Sequence, residues 1–580
     1  MHVSVSRTSG PSPDEVRAQL ARILGDRIFL RSERLRRFLL MTVERTLAGD
    51  KQDISEYSLG REVFDRKRNY DPRIDSIVRV EARRLRNKLN QYYGDGGARD
   101  PVVIEFPQGS YVPGFRYAAP AASPAPELNP RTVAVLPFLN ISTDPDQDYF
   151  CDGITEEILD ALTGVPELNV VARTSVFHFK GASADVREIG ALLGAGTVIE
   201  GSVRKADQSL RISVNLIDAS TGLMRWSGNF DRELADIFTL QSEIARAIAE
   251  ALRVTISPAH PPPRNVEAYS FYLKGRYYWN QQSQAGIQRA LQQFTRAIAL
   301  NPDYAPPYAA LADAYGHLAT WGAVPPGEGA ARAREAVLTA LRLDDRLADA
   351  SATLGGILAL FEWRWAEGET LFRRALELQP SNVHAMEIFA MALLCQARFE
   401  EGRAMIEKAQ QLDPLSSRGT RVKALLHYYR HQYDEAIVIL QRNAPLDATS
   451  HEDQVMIGWN YTRQDRCDQA IAVLEKLPEG PFLPMKLGGL GEAYACAGRR
   501  EEAQEALREL NALASTQYIP LRSFVHIYAG LGDWDRVFSD FEKSFEEHAP
   551  WLSTVMVDPR YDAIRNDPRF VDLLRRMGLQ

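Results

Sequence analysis

The segments GETLFRRALELQP (Gly368–Pro380) and GRAMIEKAQQLDP (Gly402–Pro414) follow one pattern and start 34 residues apart. In each, a glycine is followed after four positions by an apolar residue, after three more by alanine, and after five more by proline. These spacings place the small and apolar residues on one face of a helix, which the proline ends. Because small residues let another helix approach closely, the pattern predicts paired helices.

The pattern recurs through the carboxy-terminal half of the chain. Its copies begin at Ala290, Ala333, Gly368, Gly402, Ala436, Ala470, Ala503 and Val537. The first interval is 43 residues and the others are 33 to 35, a period that identifies the tetratricopeptide repeat. We therefore expect about eight repeats over residues 265–580, stacked as an all-α, right-handed superhelix whose concave groove binds a protein or peptide.

Two segments of this region depart from the repeat. The long first interval contains TWGAVPPGEG (Thr320–Gly329), which predicts a loop. The end of the chain predicts a capping helix in which Phe570, Leu573 and Leu574 pack and Arg575 suits the helix end.

Four tryptophans of this region have two interpretations. They could line a ligand site, although a tryptophan in a repeat more often belongs to the core. The four are Trp279, Trp321, Trp363 and Trp365.

A basic helix is predicted near the amino terminus, in SIVRVEARRLRNKLNQYY (Ser76–Tyr93). Apolar residues recur there at spacings of four, three and four, which forms one stripe facing a core. The basic residues are expected to project from the other faces, as in a helix that enters a DNA groove. The candidate DNA-binding residues are Arg79, Arg83, Arg84, Arg86 and Lys88.

The elements around this helix predict a small α+β domain over residues 13–117, after a loose tail at residues 1–12. Helices precede the basic helix, and two strands at Val102–Phe106 and Ser110–Phe115 follow it, joined at Pro107-Gln108-Gly109. VRVEARRLRNKL followed by IEFPQGSYVPGF resembles the carboxy-terminal part of the OmpR/PhoB-type winged helix-turn-helix. That resemblance implies a domain that binds double-stranded DNA. The family's second wing glycine is Ser110 here, and Pro113 interrupts the second strand.

Charge is distributed unevenly between this domain and the rest. Residues 1–117 hold 22 Lys and Arg against 16 Asp and Glu, a net charge of +6, whereas the other 463 residues hold 46 against 60, a net charge of −14. A basic head on an acidic body favours a DNA-facing amino terminus. The alternative is a head that kept the fold and contacts protein, which the acidic Glu81 inside the basic cluster keeps open.

A Pro/Ala-rich linker at residues 118–130 leads to a second predicted domain, over residues 131–256. A buried strand at Thr132–Phe138, two strand–helix units, a three-strand meander and a helix from Ile237 to Leu252 predict a small three-layer α/β domain. The segments AVLPFLNIS, DYFCDGITEEI, VVARTSVFHFKG, IEGSVR and STGLMRWS resemble the TolB amino-terminal-like domain, related to the FlgO family. The proline-rich residues 257–264 form a second linker.

No catalytic residue, metal site or cofactor motif emerges from the sequence. Asp152, Glu156 and Glu157 could form a metal or acid/base site, but acids at a helix start are common for capping, and no His or Lys at a fixed spacing accompanies them. His178 is interpreted as a polar residue on a strand edge. We therefore expect a protein that is not an enzyme.

The cysteines and the apolar stretches of the sequence indicate in which cellular compartment the protein is expected. The four cysteines (Cys151, Cys395, Cys467, Cys496) show neither a CxxC pair nor a disulfide framework, which favours a reducing cytoplasm. No apolar stretch is long enough for a membrane span, and the first residues lack a secretory signal.

Together these features predict a cytoplasmic, multidomain bacterial regulator. Its winged helix head would bind DNA, and its repeats would recruit a protein or peptide; a homodimer is also compatible. The alternative is a scaffold or adaptor that uses the head for protein contact, since proteins with this layout include adenylate-cyclase-like members as well as transcription regulators.

Overall fold

The computed structural model has two compact units, Met1–Ala125 and Pro126–Gln580. Within residues 13–579, the structure describes all except residues 31, 51–52, 65, 67–69, 71–76, 95–99, 101, 107–109, 118–127, 143–146, 183, 207–208, 234–236, 255–264, 282, 444–450 and 481. The predicted tail at 1–12, the turn at 107–109, residues 118–127 of the first linker and all of the second lie outside the described residues.

The first unit contains helices followed by a hairpin. Its described elements are α1 (Pro13–Gly25), α2 (Arg27–Leu30), α3 (Glu33–Ala48), α4 (Glu56–Glu62), α5 (Ile77–Gly94), β1 (Val102–Glu105) and β2 (Gly114–Tyr117). Gly49 ends α3 with a left-handed φ of 92°, a conformation that glycine adopts without steric cost. Ser55 and Ser58 form a capping box at the start of α4.

The apolar stripe of α5 is in the core, as the sequence predicts. Val78, Ala82, Leu85 and Leu89 are all buried in a cluster that includes Phe38. This packing fixes which faces of α5 remain outside.

The hairpin differs from the prediction in its second strand. Val102 pairs with Tyr117 and Glu105 with Gly114 in an antiparallel register, so β2 begins at Gly114 and not at Ser110. Ser110 instead accepts a hydrogen bond through Oγ from Val112 N at 3.1 Å, and Pro113 has no N–H to donate to a strand. The segment before Gly114 is therefore not paired with β1.

The second unit starts with an α/β region built on a mixed sheet. Its elements are β3 (Asn129–Val135), β4 (Leu139–Asn140), α6 (Asp148–Thr163), β5 (Asn169–Val170), α7 (Arg173–Phe177), α8 (Val186–Leu193), β6 (Ala195–Ala206), β7 (Ser209–Asp218), β8 (Met224–Glu233) and α9 (Ile237–Leu252). The strand order is β5-β3-β6-β7-β8, with β4 also on β6. β3 runs parallel to β5 and β6, and the predicted meander β6–β7–β8 is antiparallel.

One face of β7 and β8 is open, so the three layers predicted from sequence do not extend over these strands. Leu210, Ile212, Val214 and Leu216 of β7 are buried, whereas the alternate residues form polar cross-strand pairs. Ser213 Oγ donates to Asn229 at 2.7 Å, for example. This alternation is that of an antiparallel sheet with one solvated face.

Two local predictions in this region are wrong. Helix α6 begins at Asp148, so Asp152 lies inside the helix and not at its start, where the sequence pattern placed it. Residues Arg173–Phe177 form helix α7, with His178 as its carboxy-terminal cap and not on a strand edge. The apolar residues Val176, Phe177 and Phe179 are too few and too close together to distinguish a helical period from a strand period.

In the described part of residues 265–580, eight consecutive helical pairs follow, in the number that the repeat count predicts. They are α10 (Val266–Trp279) with α11 (Gln284–Leu300), α12 (Ala305–Trp321) with α13 (Pro326–Leu343), α14 (Ala348–Gly356, continued by a π-helical turn at Ile357–Phe361) with α15 (Trp365–Leu378), α16 (Val383–Cys395) with α17 (Phe399–Leu412), α18 (Ser417–Tyr429) with α19 (Tyr433–Asn443), α20 (His451–Arg463) with α21 (Cys467–Glu475), α22 (Leu483–Cys496) with α23 (Arg500–Ala514), and α24 (Leu521–Leu531) with α25 (Trp534–Glu546). Every copy of the sequence pattern lies in the second helix of its pair.

The predicted loop at Thr320–Gly329 is mostly helical. Helix α12 continues to Trp321 and α13 already begins at Pro326, where proline suits the first turn. The extra residues of the long interval therefore lengthen both helices.

The chain ends in a segment, residues 549–579, that folds back onto earlier repeats. It contains two 3₁₀ turns, Pro550–Thr554 and Pro559–Ile564, and α26 (Pro568–Arg576). Phe570 and Leu573 of α26 are buried, as predicted. We call residues 549–579 the C-terminal segment.

The structure contains a disulfide that the sequence did not predict. Cys467 at the start of α21 and Cys496 at the end of α22 are bonded, with their Cα atoms 5.7 Å apart. The stacking of successive helical pairs brings these two residues together, so their separation of 29 residues in the sequence gave no indication of a disulfide. Cys151 and Cys395 are buried free thiols, and burial raises the pKa of each to about 12.

Candidate functional site

Three of the five predicted DNA-binding residues are exposed on α5. Arg79, Arg83 and Arg84 are accessible to solvent. Arg79 pairs with Glu56 through Nε and Oε1 at 2.9 Å, and Arg84 pairs with Glu81 at 2.7 Å. Arg83 has neither a hydrogen bond nor an ion pair with any residue that the structure describes. Exposed pairs of this kind are weak and can be exchanged for phosphate contacts.

The sequence predicted that Arg86 and Lys88 also project from α5, but both are bonded to other parts of the domain. Arg86 donates to the carbonyl oxygens of Phe106 and Ser110 at 3.0 and 2.8 Å. Lys88 donates to the carbonyl oxygen of Ile28 and to Ser32 Oγ, both at 2.5 Å. Arg86 therefore fixes the hairpin on α5, and Lys88 fixes α2 and the start of α3.

Glu81 is buried and lies under the exposed arginines. Its side chain is only 8% exposed, and its hydrogen-bond partner Arg84 is 67% exposed. The acid therefore orients Arg84 at the surface and offers little negative charge to a ligand.

Two acids of α6, Asp152 and Glu156, are held by basic partners. Glu156 Oε1 accepts from Arg173 Nε at 2.5 Å, and its Oε2 lies 2.8 Å from Arg276 Nη2. Asp152 accepts from Lys180 Nζ at 2.7 Å, a lysine partner that sequence reasoning missed because it lies 28 residues away. The two arginines lower the pKa of Glu156 against the effect of its burial. These ion pairs join α6 to neighbouring elements, which fits a structural role better than a catalytic one.

A chamber of about 600 Å³ lies where the α/β region meets the repeats. Its walls are α6, β5 and α7 on one side and the first helices of six successive pairs, α10 to α20, on the other. Hydrogen bonds join the two sides: Ala172 N donates to Leu412 O at 2.8 Å, and Ser175 Oγ donates to Asp413 Oδ1 at 2.5 Å. The sequence did not predict this chamber, because its residues come from segments as far apart as Glu156 and Phe482.

The four tryptophans divide between the two interpretations left open. Trp279 and Trp321 are half-buried and line the chamber. Trp363 and Trp365 are buried against the C-terminal segment, to which they donate hydrogen bonds at Ser553 Oγ (3.2 Å) and Met577 O (2.7 Å). Trp279 and Trp321 therefore border the chamber, whereas Trp363 and Trp365 belong to the core beneath the C-terminal segment.

The C-terminal segment seals the repeats through a buried ionic cluster. Arg560, 1% exposed, donates from Nε to Glu492 of α22 at 2.9 Å and from Nη1 to Asp558 at 2.6 Å. Tyr428 at the end of α18 donates to Asp558 at 3.1 Å. This part of the repeat surface is occupied by the chain itself and is closed to a peptide.

Comparison with known proteins places parts of the chain near regulators and signalling proteins. No protein-family model matches. A protein named "Putative adenylate cyclase 3" from Rhizobium meliloti is 39% identical over 198 residues, 33% of this chain and 34% of the relative. The Transcriptional regulator HilA of Salmonella typhimurium is 28% identical over 116 residues, 20% of this chain and 21% of HilA. The chain thus spans about a third and a fifth of these relatives.

Two tetratricopeptide repeat proteins are among the solved structures that match parts of this chain. One from Parabacteroides merdae matches 46% of this chain and all of its own, with 12% identity and a TM-score of 0.33. YrrB, described as a TPR protein with an unusual peptide-binding site, matches 37% of this chain and 97% of its own, with 18% identity and a TM-score of 0.23. Among the residues that the structure describes, no helix has the length and apolar character to cross a membrane.

Proposed function

We propose that this chain is a DNA-binding transcription regulator or signalling protein whose repeats recruit a protein or peptide partner. Its head would be an OmpR/PhoB-type winged helix, followed by a TolB-like α/β domain. The observation that carries the proposal is the exposed arginine face of α5, formed by Arg79, Arg83 and Arg84. The part-length similarity to HilA supports the same class.

The chemistry of this face suits DNA. A guanidinium can donate two hydrogen bonds to guanine O6 and N7 or bind phosphate, and each neutralised phosphate releases counterions. The net charge of +6 on residues 1–117 adds long-range attraction, in contrast to the −14 of the remainder. A partner bound to the repeats would alter dimerisation or the accessibility of the head, through a shift of populations. We further propose that the protein is cytoplasmic and is not an enzyme.

Arg83→Ala gives the sharpest test, since this substitution removes no hydrogen bond or ion pair with the described residues. With full-length protein and a fluorescein-labelled random-sequence duplex, polarisation should show weaker binding and a salt dependence whose slope falls by about one phosphate contact, roughly 0.9. Arg34→Ala on α3 removes one exposed arginine elsewhere on the same unit and is the matched control. Equal affinities for wild type and Arg83→Ala would exclude α5 as the DNA reader.

A second candidate function is a scaffold whose head binds protein. It is favoured by Arg86 and Lys88, because both donate hydrogen bonds within the domain. The similarity to the relative named as an adenylate cyclase also favours it. Full-length protein that binds no duplex at low salt, but co-purifies with a stoichiometric protein partner that Arg83→Ala releases, would establish this alternative.

A further inference from the structure

The chamber between the α/β region and the repeats has an aromatic wall. The His317 ring lies 5.2 Å from the ring of Trp279 and 4.2 Å from that of Trp321, and Trp321 lies 6.0 Å from Phe482. These rings come from α10, α12 and the residue before α22, so the wall exists only in the folded stack. Burial, followed by the nearby Arg418, lowers the pKa of His317 to about 3. His317 is therefore neutral at physiological pH and does not repel a cation.

The arginines that line the chamber are already matched by carboxylates. Arg173 and Arg276 share Glu156. Arg418 pairs with Glu387 at 3.3 Å, and Arg421 pairs with Glu452 at 3.1 Å. An anionic ligand would have to displace these pairs, so the lining disfavours phosphates and carboxylates.

Four other carboxylates of the lining have no arginine or lysine partner in the described part of the chain, and one of them, Asp413, accepts from Ser175 Oγ at 2.5 Å. Asp349 accepts from Asn382 Nδ2 at 2.7 Å, and Asp313 lies 3.7 Å from His384 Nε2. Asp160 faces the chamber with no ion-pair partner among the described residues. Asp160 is exposed to the chamber, and desolvation by the surrounding walls, with the neighbouring Asp349 and Glu156, raises its pKa to about 7, although Arg276 acts in the opposite direction. Negative charge therefore remains uncompensated in the chamber.

Helix α12 brings the two kinds of group together. Asp313, His317 and Trp321 are spaced by four residues and all line the chamber, so a carboxylate and an aromatic ring lie on one helix face about 12 Å apart. Carboxylates beside aromatic faces recognise ammonium and guanidinium groups, through charge and through cation–π attraction.

We propose that the chamber binds an organic cation, an ammonium or guanidinium group on an apolar stem. The charged head would lie among Asp160, Asp313 and Asp349, and the stem would lie against Trp279 and Trp321. Such a group could belong to a free amine or to a lysine or arginine side chain of a peptide. The proposal goes beyond the proposed function, since binding here does not require DNA.

Calorimetry on the full-length protein tests the proposal with three probes. The probes are agmatine, a free dication whose guanidinium and ammonium groups are joined by a four-carbon apolar stem; the blocked tetrapeptide Ac-Ala-Arg-Ala-Ala-NH₂; and succinate, an anion. We expect heat and quenching of tryptophan fluorescence with agmatine, the peptide or both, and none with succinate. Binding of agmatine identifies a free amine as sufficient, and binding of the peptide alone identifies a polypeptide ligand. No binding of either cation at millimolar concentration, or preference for succinate, would overturn the proposal.

Matched variants locate the site. Asp313→Asn should weaken cation binding about tenfold by removing one charge from the chamber. Asp303→Asn, at an exposed position, should leave it unchanged. Trp321→Leu should weaken binding and reduce the fluorescence change, while unfolding transitions near that of wild type would show that the variants fold. Equal affinities of Asp313→Asn, Trp321→Leu and wild type would exclude the chamber, as would heat with Mg²⁺ alone at equal strength.

The pH dependence gives an independent readout. Asp160 faces Glu156 and Glu157 of its own helix, Arg276 of α10 and Asp349 of α14. Asp413 also lines the chamber, and burial raises its pKa to about 7. Because ionised Asp160 and Asp413 both attract a cation, agmatine should bind more tightly at pH 8 than at pH 6. Asp160→Asn should reduce this difference, and Asp160→Asn combined with Asp413→Asn should remove most of it. A pH-independent affinity in wild type would contradict the assignment of Asp160.

Discussion

The two ends of the same helices meet different surroundings. The amino-terminal ends of α14, α16, α18 and α20 face the chamber and present Asp349, Glu387, Arg421 and Glu452 to it. The carboxy-terminal ends of α14 and α18, with Glu492 of α22, are covered by the C-terminal segment. A repeat array therefore does not present one uniform groove here: one edge is sealed by the chain, and the other retains a polar cavity.

The sealed edge should be the more sensitive to substitution, and Arg560→Ala should have the largest effect. The change leaves Glu492 and Asp558 as buried carboxylates without this guanidinium, a loss worth about 3–5 kcal/mol. Urea unfolding monitored by circular dichroism measures it. Arg575→Ala is the control, because Arg575 pairs with Asp572 at the surface and should cost less than about 1 kcal/mol. Similar losses in the free energy of unfolding for both variants would mean that the buried ionic cluster does not stabilise the packing of the C-terminal segment on the repeats.

On the chamber edge, Asp413 should make stability depend on pH. Burial raises the pKa of Asp413 to about 7, above its ordinary unfolded value, so the folded state binds the extra proton. Stability should fall as pH rises from 5 to 8, by about 2 kcal/mol from this group. Asp413→Asn should remove this part of the fall and can still accept from Ser175, whereas the exposed Asp303→Asn should not. An unchanged pH profile in Asp413→Asn would show that this carboxyl is already ionised at pH 5.

The smallest effect is expected for Ser553→Ala in the C-terminal segment. Ser553 Oγ accepts from Trp363 Nε1 and donates to Leu360 O, so its loss leaves two buried polar groups without partners. We expect a loss of about 1–2 kcal/mol in the free energy of unfolding. Exposed Ser515→Ala serves as the comparison, and a thermal unfolding midpoint equal to wild type would show that water replaces the serine.

Periodic features of the fold could be predicted from sequence, and contacts between distant segments could not. The 34-residue period locates all eight helical pairs because each repeat packs mainly on its neighbours. The stripe of α5 likewise predicts its buried face. Nothing local indicates that Lys88 reaches Ile28 or that Arg86 holds Ser110, so the sequence assigned both to the surface.

The chamber shows the same limit. Its tryptophans were recognisable as candidates, but the choice between core and ligand site depended on where the C-terminal segment lies. Trp363 and Trp365 are covered by residues about 190 and 210 positions further along the chain. Such contacts form because the C-terminal segment packs back onto earlier repeats, and the helical period of the sequence carries no information about that packing.

The return of the C-terminal segment changes how this array can unfold and evolve. In an open solenoid, terminal repeats fray independently, and repeats can be gained or lost without disturbing the others. Here the hydrogen bonds from Trp363 to Ser553 and from Tyr428 to Asp558 tie the third and fifth pairs to the end of the chain. Removing the fourth helical pair would change the distance between Trp363 and Tyr428, so the C-terminal segment could no longer reach both residues at once. The number of repeats is therefore fixed by geometry, and these pairs should unfold as one cooperative unit.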